Sequence, residues 1–317
     1  MSKNYGIITH HDADGQVGAL VALHHLEIKY NAKPEDVEII VDDLTGNVSF
    51  ESMYGKKEVI IVDHPYVPEL EDFVENIYWF DHHGPMVNDE RYKNVPGLRS
   101  ITMAGCELAY LYLFNPEYID YVRKYPANTR ADNRINAMRE IAPLLVYYIG
   151  DNDNWDKNTG KNGWNAFIGA NSLPTIDKDL SAWTKFLENY WDSKYVYALE
   201  RYGEACDLFI KTHSAKLVTS RAFECTFTGY PNAKAIALNT DMRGSGTFDA
   251  VKDQYEIGLV FFIGKNGKYT VNAYNLTDDE SKFDLGAACK KLGGGGHKGA
   301  AGCTVDELSK VIIRKGR

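Results

Sequence analysis

The sequence predicts an α/β protein: a parallel-sheet domain and a smaller C-terminal α/β domain joined by a helical linker. Three observations lead there. In the first half, short β-branched runs alternate with helical stretches, the pattern of parallel strands with crossover helices. Between residues 183 and 213, apolar residues recur at helical spacing without a proline. From about residue 221 the texture turns to closely spaced strand-like runs followed by a helix and a glycine run, so a second core is expected.

The candidate strands of the first domain are residues 5–9 (YGIIT), 37–41 (VEIIV), 59–62 (VIIV) and 77–80 (IYWF). Each ends in a polar cluster: His10-His11-Asp12-Ala13-Asp14-Gly15, Asp42-Asp43, Asp63-His64 and Asp81-His82-His83-Gly84. Ligands of open parallel sheets sit outside the carboxyl ends of the strands, so these clusters are expected to converge on one edge. Helical spacing of Ile135, Met138, Ile141, Ala142, Leu145 and either Tyr148 or Ile149 then delivers the chain to Gly150-Asp151-Asn152-Asp153. In the second domain, strands are expected at 223–228, 235–238, 257–263 and 269–274, with a helix at 285–291.

Composition narrows the function classes. The 317 residues are 44% hydrophobic and 25% charged, with a formal net charge of −9. Residues 222–317 carry 13 Lys+Arg against 11 Asp+Glu, whereas residues 1–221 carry 22 against 33. That balance excludes a broad basic face for duplex DNA but not a small anionic substrate. Cys106, Cys206, Cys225, Cys289 and Cys303 are widely spaced with no CxxC pair, so neither a disulfide framework nor a thiolate zinc site is indicated. No apolar run approaches the ~20 residues of a membrane span, and structure is expected from the start of the chain, leaving no room for a signal peptide. A cytoplasmic protein is expected.

The sharpest feature is the set His10, Asp12, Asp14, Asp63, His82 and Asp151, all at ends of expected elements. Any one such residue is ordinarily a cap or turn. The spacing H-x-D-x-D-G, then strand-D, then strand-D-H-H, is too particular for that. Four carboxylates in one place raise one another's pKa values unless cations sit among them. Carboxylate and imidazole without thiolate suit Mn(II) or Mg(II), with Zn(II), Co(II) or Fe(II) as alternatives, and two ions bridged by one Asp can generate hydroxide at neutral pH. In the tail, four glycines (293–296) permit close backbone approach to a phosphate, with His297 and Lys298 as cationic donors.

The words HHDADG (10–15), VDH (62–64), DHH (81–83) and GDND (150–153) resemble motifs I to IV of the DHH phosphoesterase superfamily. GGGGHKGAAG (293–302) resembles the signature of the DHH-associated C-terminal domain. The resemblance spans almost the whole chain and implies a DHH catalytic domain (1–182), a helical linker (183–221) and a substrate-binding tail domain (222–317). It implies that His10, Asp12 and Asp63 hold one metal, that Asp14, Asp63, His82 and Asp151 hold a second, and that Asp63 bridges. Asp81 would orient an imidazole and His83 would face the scissile phosphate, with His11 and His64 as bystanders. Asp151 is preferred to Asp153 because it matches the usual ligand position. Gly294, Gly295, Gly296, His297 and Lys298 would grip phosphate. Many relatives carry an Arg in a Ser-Leu-Arg-Ser word where this chain has Asn272-Ala273-Tyr274-Asn275, so Tyr274 or Arg243 is expected to replace that clamp. Trp155 and Trp164 are read as wall or core and Cys106 as part of a buried helix start.

The resemblance therefore implies an Mn-dependent phosphodiesterase or exonuclease-type hydrolase with two divalent ions, acting on short single-stranded oligonucleotides or nucleotides, without membrane association. Alternatives are a 3′,5′-bisphosphate nucleotide phosphatase, a cyclic-dinucleotide phosphodiesterase and a noncatalytic nucleotide-binding protein. The sequence does not set the oligomeric state, a homodimer included.

Overall fold

The computed structural model describes residues 3–44, 48–87, 89–120, 141–154, 156–188, 193–242, 244–277, 279 and 282–315. The chain divides into two compact units, Met1–Cys206 and Asp207–Arg317.

The first unit is built on a parallel sheet of β1 (Tyr5–His10), β2 (Val37–Asp42), β3 (Glu58–Val62), β4 (Asn76–Asp81) and β5 (Gly97–Arg99), in the order β2-β1-β3-β4-β5. Period-two alternation splits the strand residues between two cores. Ile7, Ile60, Val62 and Phe80 face α1 (Ala13–Tyr30), α2 (Gly105–Phe114) and α3 (Leu144–Asp153). Ile8, Val59, Ile61 and Trp79 face a thinner layer of Met53, Tyr66, Val67, Leu70 and Val74, carried by loops and short 3₁₀ turns. Burial on both faces explains why these strands read as continuous apolar runs. β5, three residues long, is too short to show in the sequence pattern.

Beyond α3 follow α4 (Gly160–Asn171), α5 (Leu180–Glu188) and the 29-residue α6 (Ser193–Arg221). The stretch expected to be a linker contributes side chains to both cores, although most of its described residues are half-buried or exposed. Trp183, Phe186, Val196 and Leu199 are buried in the first unit, whereas Val218 is buried in the second. Much of the helical pattern expected between 132 and 149 lies outside the described residues, and α3 is its described end.

The second unit is a mixed sheet of β6 (Phe223–Phe227), β7 (Tyr230–Asn239), β8 (Ile257–Ile263), β9 (Tyr269–Asn275), β10 (Gly295–Gly296), β11 (Ala300–Val305) and β12 (Ile312–Arg314). The order is β10-β11-β9-β8-β7-β6-β12, parallel between β7 and β8 and otherwise antiparallel. The helix α7 (Leu285–Lys290) packs Leu285, Ala288 and Cys289 onto one face of this sheet.

Candidate metal centre

The carboxyl ends of β1, β3 and β4 lie side by side, so His10, Asp63 and Asp81-His82-His83 emerge at one edge. Asp12 caps α1, its Oδ1 accepting from the Gly15 N–H at 3.1 Å, while its Oδ2 accepts from His10 Nδ1 at 2.8 Å. Asp14, in the first turn of the same helix, is fully buried, and the N-terminus of α2 holds its carboxylate. Gly105 N–H donates to Oδ2 at 2.7 Å and Cys106 N–H to Oδ1 at 2.8 Å, an anion seated on the positive end of a helix.

Asp63 is the centre of the arrangement. Its φ is 51°, a left-handed conformation that costs a non-glycine residue energy and is typical of functional sites. Oδ2 faces His10 Nδ1 at 3.5 Å and Oδ1 faces His82 Nε2 at 3.4 Å, yet neither buried oxygen has a hydrogen-bond partner. His82 Nε2 also lies 3.7 Å from Asp14 Oδ2 and 3.4 Å from Asp153 Oδ2. Asp81 is buried, and its Oδ1 accepts from the backbone N–H groups of His82 and His83 and from His83 Nδ1 at 2.8 Å, orienting that ring.

The electrostatics follow from crowding acids in a dry place. Burial and the Asp63 carboxylate push Asp14 up to about 6. Burial and the Asp14 carboxylate likewise raise Asp153. Burial works against a charged His10, but Asp12 and Asp63 push it up to about 10. Against its own burial, His82 is pushed up to about 11 by Asp63, Asp14 and Asp153. Asp63, despite its burial, is held well below the usual carboxylate range by the His10 and His82 imidazoles. The hydrogen bond to Asp81 raises His83. Every shift reports one demand, for positive charge among the oxygens.

A divalent cation fits that demand. Among the described residues, three groups have ligand atoms within 4.8 Å of one another: His10, Asp12 and Asp63; Asp14, His82 and Asp153; and Asp63, His82 and His83. The donors are carboxylate oxygens and imidazole nitrogens, the set suited to Mn(II), Mg(II) or other borderline first-row ions. The two orphaned oxygens of Asp63 are what a shared ligand would offer.

The structure thus brings together His10, Asp12, Asp14, Asp63, His82 and His83, with Asp81 behind them. Asp151, expected there from the sequence, is not among them. Its Oδ1 accepts from the backbone N–H and the side-chain amide of Asn158, and its Oδ2 from the backbone N–H and hydroxyl of Thr159, at 2.7 to 3.1 Å. Asp151 closes the turn into α4, and Asp153 faces the site instead. His64 is no idle neighbour either. Buried, it donates from Nδ1 to the Pro65 carbonyl at 2.7 Å and sets Nε2 3.0 Å from Asp42 Oδ2, tying the ends of β2 and β3 together. Sequence reasoning ranked Asp153 second and missed the supporting N–H groups of Gly105 and Cys106. The signal for the latter was Ala104 followed three residues later by Glu107, a helix-start pattern in a run of small residues.

In the second unit, Gly295, His297 and Lys298 are exposed on the β10–β11 hairpin. Gly294 and Gly296 have a scaffolding reason to be glycine. A Cβ at Gly294 would meet the Gly302 carbonyl oxygen at 2.0 Å, and Gly296 combines a φ of 131° with an approach of 2.6 Å to the Ala301 Cα. Tyr274 departs from expectation: its ring is buried among Ile236, Leu238, Phe248 and Val260, and its hydroxyl accepts from the Gly244 N–H at 2.8 Å. It braces a turn rather than standing open as a stacking platform. Arg243 and Trp155 lie outside the described residues; Trp164 is 37% exposed and stacks on Phe167. Cys106 is buried, and burial with the nearby Asp14 charge keeps its thiol protonated, as a packing residue.

Residues 233–312 match the DHHA1 domain family. No curated protein matches the chain. Among solved structures, the chain is similar to the DHH domain of a member of the S1p family of ribosomal proteins, with a TM-score of 0.50 and 17% identity over 96% of this chain and 83% of that one. It is also similar to RecJ in complex with Mn²⁺ from Thermus thermophilus, with a TM-score of 0.45 and 19% identity over 96% of this chain and 50% of that one. A third is the pGpG-specific phosphodiesterase PggH from Vibrio cholerae, with a TM-score of 0.44 and 14% identity over 95% and 93%. Among the described residues, no helix is long and apolar enough to cross a membrane.

Proposed function

We propose that this chain, a five-stranded parallel-sheet unit followed by a unit that matches the DHHA1 family, is a metal-dependent phosphoester hydrolase of the DHH type acting on short single-stranded oligonucleotides or nucleotides. The observation that carries this reading is Asp63, whose two unpartnered oxygens face different donor groups, one with His10 and Asp12 and the other with His82. On this reading one cation is held by His10, Asp12 and Asp63, and a second by Asp14, Asp63, His82 and Asp153. When bound, such ions supply Lewis acidity toward water and toward a phosphoryl oxygen.

The chain's own residues do the rest. The Asp81 carboxylate fixes His83 through Nδ1, which leaves Nε2 as the ring nitrogen that can donate to a phosphoryl oxygen. Its side chain is 41% exposed, so substrate can reach it. The helix-held Asp14 and the strained Asp63 keep the oxygens in place before substrate arrives, so little reorganisation is required at the moment of reaction. The exposed His297 and Lys298 offer donors for a further phosphate in the DHHA1 domain. An acidic first unit and a near-neutral second suit a short substrate recognised at one end.

The test is a side-by-side assay with Mn(II) or Mg(II) of dinucleotides, longer RNA and DNA strands, a 3′,5′-bisphosphate nucleotide and cyclic dinucleotides. Turnover falling with strand length is expected. Turnover of the bisphosphate or cyclic substrates alone would move the assignment to a small-molecule phosphatase or cyclic-dinucleotide phosphodiesterase. No turnover of any of them would leave a nucleotide-binding protein.

A further inference from the structure

We infer that Glu107 is a positioning residue for the second cation, although it belongs to none of the donor groups. The inference rests on the proposed two-cation reading.

Glu107 is 6% exposed, in the first turn of α2. Its Oε2 accepts from the Ala104 N–H at 3.0 Å and from the Asn154 side-chain amide at 3.3 Å. These two contacts join the supports of two different ligands. Ala104 N–H immediately precedes the Gly105 and Cys106 N–H groups that hold the Asp14 carboxylate. Asn154 immediately follows Asp153 at the end of α3, where its amide also donates to the Gly150 carbonyl at 3.1 Å. Asp14 and Asp153 are far apart in the sequence, and both carboxylates lie within 4 Å of His82 Nε2. One carboxylate therefore links the segment that aims Asp14 to the residue after Asp153.

The packing around the brace is specific to it. A Cβ at Gly150 would fall 2.2 Å from the Glu107 Cδ and 2.6 Å from its Oε1. Glycine at that position of α3 is what lets the glutamate lie against the helix. Burying a carboxylate is costly unless it is hydrogen-bonded, and a cap alone is served at an exposed helix start. The burial is accounted for if the position of α3 relative to α2 is what the carboxylate sets. Residues that orient metal ligands without touching metal typically carry ~10–100-fold of metal affinity.

The experiment titrates the full chain with Mn(II), read by calorimetry and by electron paramagnetic resonance, with circular dichroism to confirm folding. Wild type is expected to bind two ions, the second giving the exchange-coupled signal of a close pair. Glu107→Leu is expected to weaken the second ion by roughly 10–100-fold, to leave the first within about threefold, and to lose the coupled signal. Glu107→Gln, whose amide oxygen can accept both hydrogen bonds, is expected to restore both. Wild-type binding of two ions by a folded Glu107→Leu, or loss of both ions equally, overturns the inference. Failure of the wild type to bind Mn(II) overturns the two-cation reading instead. Should Glu107→Leu not fold, Asn154→Ala decides, since it cuts only the α3 end of the brace: selective weakening of the second ion supports the inference, and unchanged binding of both overturns it.

Discussion

The two ends of β3 bury acidic side chains five residues apart and treat them in opposite ways. At the amino end, Glu58 is fully buried, and its Oε2 accepts from Lys29 Nζ at 2.8 Å and from the Tyr30 hydroxyl at 2.9 Å. Lys29 also sits 4.9 and 5.1 Å from the ring centres of Tyr30 and Tyr78. Burial works against the Glu58 charge, but His25, Lys29 and Tyr30 hold it below the ordinary glutamate range. Just past the carboxyl end, Asp63 is buried beside Asp14 and Asp153, and among the described residues the positive partners within 4 Å of the three are imidazoles. A lysine neutralises an acid permanently and closes the site. Imidazoles can give up their protons, so their nitrogens and the carboxylates together remain available to a cation. At one end Lys29 and Tyr30 satisfy Oε2 and His25 Nε2 faces Oε1 at 3.6 Å, whereas at the other both Asp63 oxygens await a partner from outside.

The comparison is broken most severely at Asp63. Asp63→Ala is expected to abolish both Mn(II) binding and hydrolysis, checked by calorimetry and by turnover of a dinucleotide; unchanged activity would refute the bridging role. Next, Asp153→Asn is expected to weaken Mn(II) binding by roughly 100-fold, the upper end of what even supporting residues carry. Asp151→Asn should change it by less than about threefold while costing about 1 kcal/mol of stability through a weakened turn. The reverse ranking would restore Asp151 as the ligand. Third, Mn(II) at about a hundred times its dissociation constant should add about 2.7 kcal/mol of stability, read as a rise in urea midpoint that chelator reverses and Asp63→Ala lacks. Smallest is the effect at the closed end: Glu58→Gln should cost about 2 kcal/mol by leaving Lys29 without its carboxylate, with Mn(II) affinity unchanged. The sign with pH follows from the lowered Glu58 value. Its contribution is fully present above the unfolded value of 4.5 and is lost as pH falls through the depressed folded value. Wild type should therefore lose stability more steeply than Glu58→Gln on the acid side.

Much of the centre was legible because it is local. A polar cluster after an apolar strand falls at the strand's end whatever the packing, and parallel strands bring those ends together, which places His10, Asp63, Asp81, His82 and His83 at one edge. The choice between Asp151 and Asp153 is not local. Residues two apart on a helix point about 200° apart, so the sequence offers one acid to the site and one to the flank without saying which. The ranking came from where α3 packs and from Asn158 and Thr159, which claim Asp151. Tyr274 was misjudged for a related reason. Its strand alternates correctly, but alternation does not say which face of a sheet is covered by Ile236, Leu238 and Phe248.

By itself, the sequence determined the strand and helix periods, the acids and imidazoles at strand ends, the glycine run and the charge difference between the halves, since each depends only on neighbouring residues. Tertiary structure decided which carboxylate of the GDND word turns inward, that an α2 terminus holds Asp14, that Glu107 lies against Gly150, and that Trp183 and Phe186 are core rather than linker. The physical reason is common to all four: helix phase and burial are set by the surface an element packs against, and that surface is supplied by residues far away in the chain.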